Sequence, residues 1–240
     1  MSSWNPALSS KTFEGLGSST EGMTLPGTIN KTAILLAIVL IAALWVWGIA
    51  SHDQQAAGSY LLIGAIGGFV LALITIFYKT VSPYTAPVYA ALEGLALGGI
   101  SEIYEVKYPG IAIQSVGLTF GIMFCLLILY KTQVIQVTEK FKIGVVSATG
   151  AICLLYIVDL VLMFFGKPIS FIHQGGTIGI LFSLFVVTIA SLNLILDFDF
   201  ITQGVANHSP KYMEWYSAFG LVVTLVWLYL EILRLLAKRR

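Results

Sequence analysis

Carboxylates and amides are rare inside long apolar runs, and this chain places several there: Glu93, Asp159, Asn193, Asp197 and Glu231. An ionisable side chain near the middle of a membrane helix costs about 2.5–3.5 kcal/mol, so it usually faces a polar partner or a water path. Asn193 precedes Asp197 by four residues, which puts both on one helical face. Asp199 stands two residues further on and points to a nearly opposite face, toward the lipid headgroups. Lys79 closes an earlier apolar run, and an ion pair with Asp197 is geometrically open. Two readings of that pair compete: Lys79 snorkels while Asp197 marks a membrane boundary, or the two form a latch across a polar path. Glu231 and Arg234, three apart, can pair along their own helix. Glu93 adjoins Gly94 on a glycine-packed segment, whereas Asp159 has no obvious local partner.

Other chemistries find no support. His52, His173 and His208 fall in or near different loops, and no HExxH or CxxC spacing occurs, so neither a transition-metal site nor a metal-dependent lipid hydrolase is expected. No GxSxG or Walker-type loop is present, and no enzyme activity and no cofactor are expected. A retinal Schiff base would need a buried lysine in the last apolar run, and Lys211 and Lys238 merely flank it. Cys125 and Cys153 lie in apolar runs and read as small buried hydrophobes.

The elements that must hold these groups follow from composition. Of 240 residues, 58% are hydrophobic and 10% charged, with a mean hydropathy of +0.90. Soluble domains carry about 25% charged residues, so lipid must cover much of this surface. The net charge of +1 gives no field for nucleic acid. A span needs about 20 mostly apolar residues, and seven stretches qualify: 32–50, 59–78, 86–104, 110–130, 143–165, 177–198 and 212–236. Backbone groups in hydrocarbon must be satisfied internally, and these runs do not alternate as barrel strands do, so they read as helices. The fold class expected is all-α, a polytopic bundle of seven transmembrane helices over residues 29–240. Residues 1–28 read as a flexible polar tail and not a signal peptide. Gly94 with Gly98, and Gly117 with Gly121, stand at the four-residue spacing that lets helices approach closely.

With seven spans, Lys79, Lys131, Lys140, Lys142 and Lys211 fall in loops on the side of the N-terminus, against Lys107 and Lys167 opposite. That places the N-terminus in the cytoplasm. The C-terminal cluster Arg234, Lys238, Arg239 and Arg240 argues the other way.

Three segments resemble the Bax inhibitor-1 (transmembrane BAX inhibitor motif) family, prokaryotic-type members in particular. They are Leu92-Glu93-Gly94-Leu95-Ala96-Leu97-Gly98-Gly99-Ile100-Ser101, then Ser191-Leu192-Asn193-Leu194-Ile195-Leu196-Asp197-Phe198, and Leu228-Tyr229-Leu230-Glu231-Ile232-Leu233-Arg234-Leu235-Leu236. Their order and spacing over about residues 30–237 carry the likeness. The resemblance implies six helices around a central, strongly apolar one, in the inner cell membrane, and a pH-sensitive Ca2+ leak. Asp197 falls on the family's sixth-helix aspartate and Lys79 on its basic latch. The second aspartate of the family's proton-sharing pair is missing, with Thr224 in its place. Two close carboxylates raise one another's pKa, and Asp197 facing Thr224 lacks that repulsion. Ca2+ prefers six to eight oxygen ligands, so Asp197, Thr224 and Asn193 would make a weak transit site, suited to a permeant ion. The alternative function is a non-conducting regulator that binds another membrane protein, such as a protease or stress-response partner, with residues 1–30 as the docking segment.

Overall fold

A computed structural model describes residues 22–51 and 53–240 of the chain. Among them are eight α-helices: α1 (Leu25–Ala50), α2 (Gln54–Phe77), α3 (Ser82–Lys107), α4 (Ile111–Lys131), α5 (Glu139–Phe164), the single turn α6 (Ser170–His173), α7 (Thr177–Ala206) and α8 (Met213–Lys238). A 3-10 turn, Lys79–Val81, joins α2 to α3. The described residues hold no strand, only the isolated bridge Gly22–Pro210. Six helices, all the long ones except α3, are long and apolar enough to cross a membrane, and the protein is a multi-pass membrane protein. α3 falls short because Gly, Ala, Pro and four charged residues dilute its apolar content.

Local signals set the helix ends. Thr24 caps α1, its hydroxyl accepting from Gly27 N at 3.1 Å, and Pro26 sits in the first turn, where its missing N–H costs nothing. Thr138 caps α5 in the same way through Phe141 N. Gly110, at φ 83°, admits the left-handed turn before α4, and the Glu105 carboxylate accepts Gly110 N and Ala112 N at the start of that helix. Residues 1–21 of the expected tail lie outside the described residues, as does His52. The remainder of that segment, residues 22–28, is ordered: Met23 is buried, its N–H donates to Ser209 O at 2.6 Å, and α1 has begun by Leu25.

α8 lies innermost. It packs on α1, α3, α4 and α7, and 56% of its apolar window is buried, against 50% for α7 and 17–22% for the other four spans. The expected central, strongly apolar helix is therefore qualified. α8 is the most enclosed span but the least hydropathic of the six, because it carries Glu214, Glu231 and Arg234 inward or along its flank. The two main hydrophobic clusters both draw on α8, one through Leu221, Leu225 and Leu228 against α7, the other through Phe219, Val222 and Val226 against α1 and α3.

Glycine decides how closely α3 approaches its neighbours. A Cβ on Gly94 would lie 2.5 Å from Val39 O, and one on Gly98 would lie 2.6 Å from Ala43 O, both on α1. Gly64 of α2 sits equally tight against Leu92 O, at 2.4 Å. Gly117 and Gly121 do not share this role: nothing lies within 4 Å of a Cβ at either, so they face outward. Cys125 and Cys153 are likewise exposed on the outside of the bundle and not buried. With lipid as solvent, an outward thiol in an apolar run carries no desolvation cost, so the apolar context alone could not place them inside.

Candidate functional site

Three acidic side chains are enclosed along α8. From one end to the other they are Glu214, Asp197 (reaching in from α7 opposite Thr224) and Glu231. At 1.5 Å per residue, Glu214 and Glu231 are about 25 Å apart along the helix, close to the thickness of a bilayer's hydrocarbon core.

The two end acids are fully engaged. Glu214 has no exposed surface. It accepts from Thr24 N at 2.9 Å, Thr24 Oγ1 at 2.8 Å, Lys211 Nζ at 2.9 Å and, in a very short contact, Lys31 Nζ. Gly27 makes room, since a Cβ there would stand 2.2 Å from the carboxylate. Glu231, 1% exposed, accepts from Tyr156 OH at 2.9 Å and Arg234 Nη1 at 2.9 Å. The same Arg234 nitrogen also reaches Tyr156 OH at 2.8 Å, tying α8 to α5.

Asp197 is different. It is 3% exposed, and its Oδ2 has no hydrogen-bond partner among the described residues. Thr224 is the polar side chain facing it, while the Thr224 hydroxyl also donates to Gly220 O at 3.2 Å. Asn193 shares the buried face of α7, yet its amide is spent elsewhere: Nδ2 donates to Thr149 Oγ1 at 2.7 Å and to Ile189 O at 2.8 Å, so it binds α7 to α5. Asp199, on the other face, pairs with Lys142 at 3.0 Å.

The Lys79–Asp197 ion pair is not formed. Lys79 has no carboxylate within 4 Å among the described residues, and its ammonium lies 5.7 Å from the Tyr216 ring centroid. The reason is depth. Lys79 sits in the connecting turn at the level of Tyr216, whereas Asp197 faces Thr224, eight residues or about 12 Å further along α8. Partial burial of Lys79 with no carboxylate beside it lowers the pKa of its ammonium.

Asp159 is also corrected. It stands near the end of α5 and not unpartnered at mid-span: Oδ1 accepts from Ile169 N at 2.8 Å and Oδ2 meets His173 Nε2 at 2.7 Å. The partners come from the α5–α6 connection (Ile169) and from α6 itself (His173), ten and fourteen residues along the chain, beyond the reach of helical spacing. Glu93 is half-buried, with its carboxylate against Gly68 of α2 and no hydrogen bond or ion pair among the described residues.

The site residues that sequence reasoning passed over are Glu214, with Lys31, Thr24 and Gly27. Lys211 and Glu214 at i,i+3 were a legible pair. Lys31 and Thr24, more than 180 residues earlier, were joined to it only by folding.

No group of three or more His, Cys, Asp or Glu side chains able to hold a metal ion occurs among the described residues. Along α8 stand an ion-paired acid at each end and, between them, Asp197 with one oxygen that has no hydrogen-bond partner among the described residues. The family model for Bax inhibitor 1 like proteins matches residues 5–240. The chain belongs to that family. No curated protein and no solved structure matches it.

Proposed function

We propose that the protein is a cation leak channel of the membrane, passing Ca2+, with Asp197 as the charged lining of a path along the α7–α8 seam. The observation that carries this is the enclosed Asp197 carboxylate, one oxygen of which has no hydrogen-bond partner among the described residues. Enclosing a carboxylate away from water costs several kcal/mol unless hydrogen bonds and opposite charge offset it. Among the described residues the Thr224 hydroxyl offsets part of that cost at Asp197, and the oxygen left over is open to a transient partner, of which a permeating cation is one. Thr224 and one carboxylate provide too few oxygens to trap Ca2+, which suits passage over retention.

In this reading α3 spans as the seventh helix, the N-terminus is cytoplasmic and the membrane is the inner cell membrane. Lys79 lines the cytoplasmic mouth and acts as a latch only if the path opens far enough to bring it to Asp197. No second acid faces Asp197 among the described residues, so in this reading pH acts through that one group: protonation removes the charge that draws the cation in.

The test is Ca2+ entry into dye-loaded liposomes. Asp197→Asn is expected to lower the flux on the order of tenfold, the rate equivalent of ~1.4 kcal/mol. Wild-type flux is expected to fall on acidification, and the variant to lose that fall. Wild-type flux no greater than that of protein-free liposomes at any pH would sink the reading.

A further inference from the structure

The chain just ahead of α1 is fastened across the turn that joins α7 to α8. Gly22 forms an antiparallel bridge with Pro210, and Met23 N–H donates to Ser209 O at 2.6 Å. A Cβ on Gly22 would lie 3.6 Å from His208 Cα, so the segment runs directly along His208–Pro210. The Met23 side chain is buried and belongs to the hydrophobic cluster that α7 and α8 share, with Phe198, Ile201 and Met213. Thr24, next in the chain, caps α1 and is tied to the Glu214 carboxylate, which makes it a fixed hinge. Gly22 and Met23 are therefore a strap over one end of the helix pair that carries Asp197 and Thr224.

The strap is held lightly. One buried side chain, a backbone bridge and a hydrogen bond fix it, and segments with few buried contacts open locally while the rest of a fold stays intact. Methionine suits a seat that is left and refilled, because its unbranched side chain adapts to irregular gaps. Release also bares no charge, since Glu214 keeps Lys31 and Lys211. The turn underneath favours opening. Ser209 is buried although it lies in a turn, and its Oγ has no hydrogen-bond partner among the described residues. A buried hydroxyl left unmet is a cost of the closed form, and water admitted under a lifted strap removes it. We infer that Gly22 and Met23 form an autoinhibitory strap: seated, it seals the α7–α8 seam at the α7–α8 turn, and released, it opens that end. The inference rests on the leak reading for what passes once the seam is open.

A reversible lock tests it on the full chain in dye-loaded liposomes. Residues directly opposed in an antiparallel bridge have Cα atoms about 4.5–5.5 Å apart, within the span of a disulfide. Gly22→Cys with Pro210→Cys is made on a background of Cys125→Ala and Cys153→Ala, whose thiols are exposed. Oxidised, this chain is expected to pass Ca2+ on the order of tenfold more slowly than the same sample after reduction, as a closed lid slows passage. Comparing one sample with itself removes differences in folding. Met23→Asp in the otherwise wild-type chain, which unseats the buried side chain, is expected to raise the flux several-fold. Amide hydrogen exchange over residues 207–213 is expected to be faster in the reduced form than in the oxidised one. Failure of the two thiols to join would overturn the inference by denying the apposition. Flux unchanged by reduction of a disulfide verified by mass would overturn it too and leave the leak standing. Flux in neither state, with exchange still faster after reduction, would remove the leak and leave the strap as a releasable cover.

Discussion

Replacing Glu214 with alanine is expected to lower the stability of the detergent-solubilised protein by about 3–5 kcal/mol, the usual cost of removing one partner from a buried ionic cluster. The carboxylate is wholly enclosed and gathers Lys31 and Thr24 from the start of α1 and Lys211 from the turn before α8. Its removal leaves the Lys31 ammonium, mostly covered, and the Thr24 amide without their acceptor. The two ends of the chain's fold then lose the contact that fixes α1 against α8. Lys211→Met serves as the contrast. That side chain is 48% exposed, so screening by water holds its contribution to roughly 1 kcal/mol or less. A thermal melt reads both variants. A Glu214→Ala transition at the wild-type temperature would refute the structural role assigned to this cluster. Gly27→Ala tests the same site from the other side. Its methyl group would overlap the carboxylate, so this conservative change should also lower the melting temperature, despite alanine's better helix propensity.

Gly94→Ala is expected to destabilise by about 1–3 kcal/mol through overpacking. The added methyl would sit 2.5 Å from Val39 O and 2.6 Å from the Ala42 side chain, and backbone oxygen cannot turn aside as the end of a long side chain can. The only relief is to move α3 away from α1. That shift would loosen the cluster of Leu35, Val39, Ala90 and Leu97 that the two helices share. Gly117→Ala is the matched control, a glycine in a membrane helix with open space around it. There the methyl gains helix propensity worth up to about 1 kcal/mol and meets nothing inside the protein. Equal melting temperatures for the two variants would show that close approach of α1 and α3 is not what Gly94 provides.

These two residues mark where the sequence could and could not be read. Gly94 and Gly98 were legible as packing glycines, but so were Gly117 and Gly121, which carry the same spacing and face outward. Spacing places residues on one side of a helix without saying which side meets a neighbour. Glu231 with Arg234 was legible for the opposite reason: both partners lie on one helix within a turn, and their distance follows from helical geometry. Asp159 with His173 was not, because their contact depends on how the short α6 folds back. The Lys79–Asp197 ion pair is not formed, because positions near helix ends do not put two residues at one depth. Depth in a bundle is set by the tilt and stagger of whole helices, which no local pattern records.

The amino-acid sequence alone determined that lipid is the solvent, that the long runs are helices and roughly where each begins and ends. Those properties are sums over neighbouring residues: apolar content, capping chemistry, and the need for each backbone amide to find its partner within the segment. Only the tertiary structure decided which helix lies innermost, that Glu214 is met by Lys31 and Asp197 by Thr224, and that one oxygen of Asp197 has no partner among the described residues. Contacts of that kind join residues tens to nearly two hundred positions apart. Their existence depends on helix rotations and offsets set by packing the whole bundle at once.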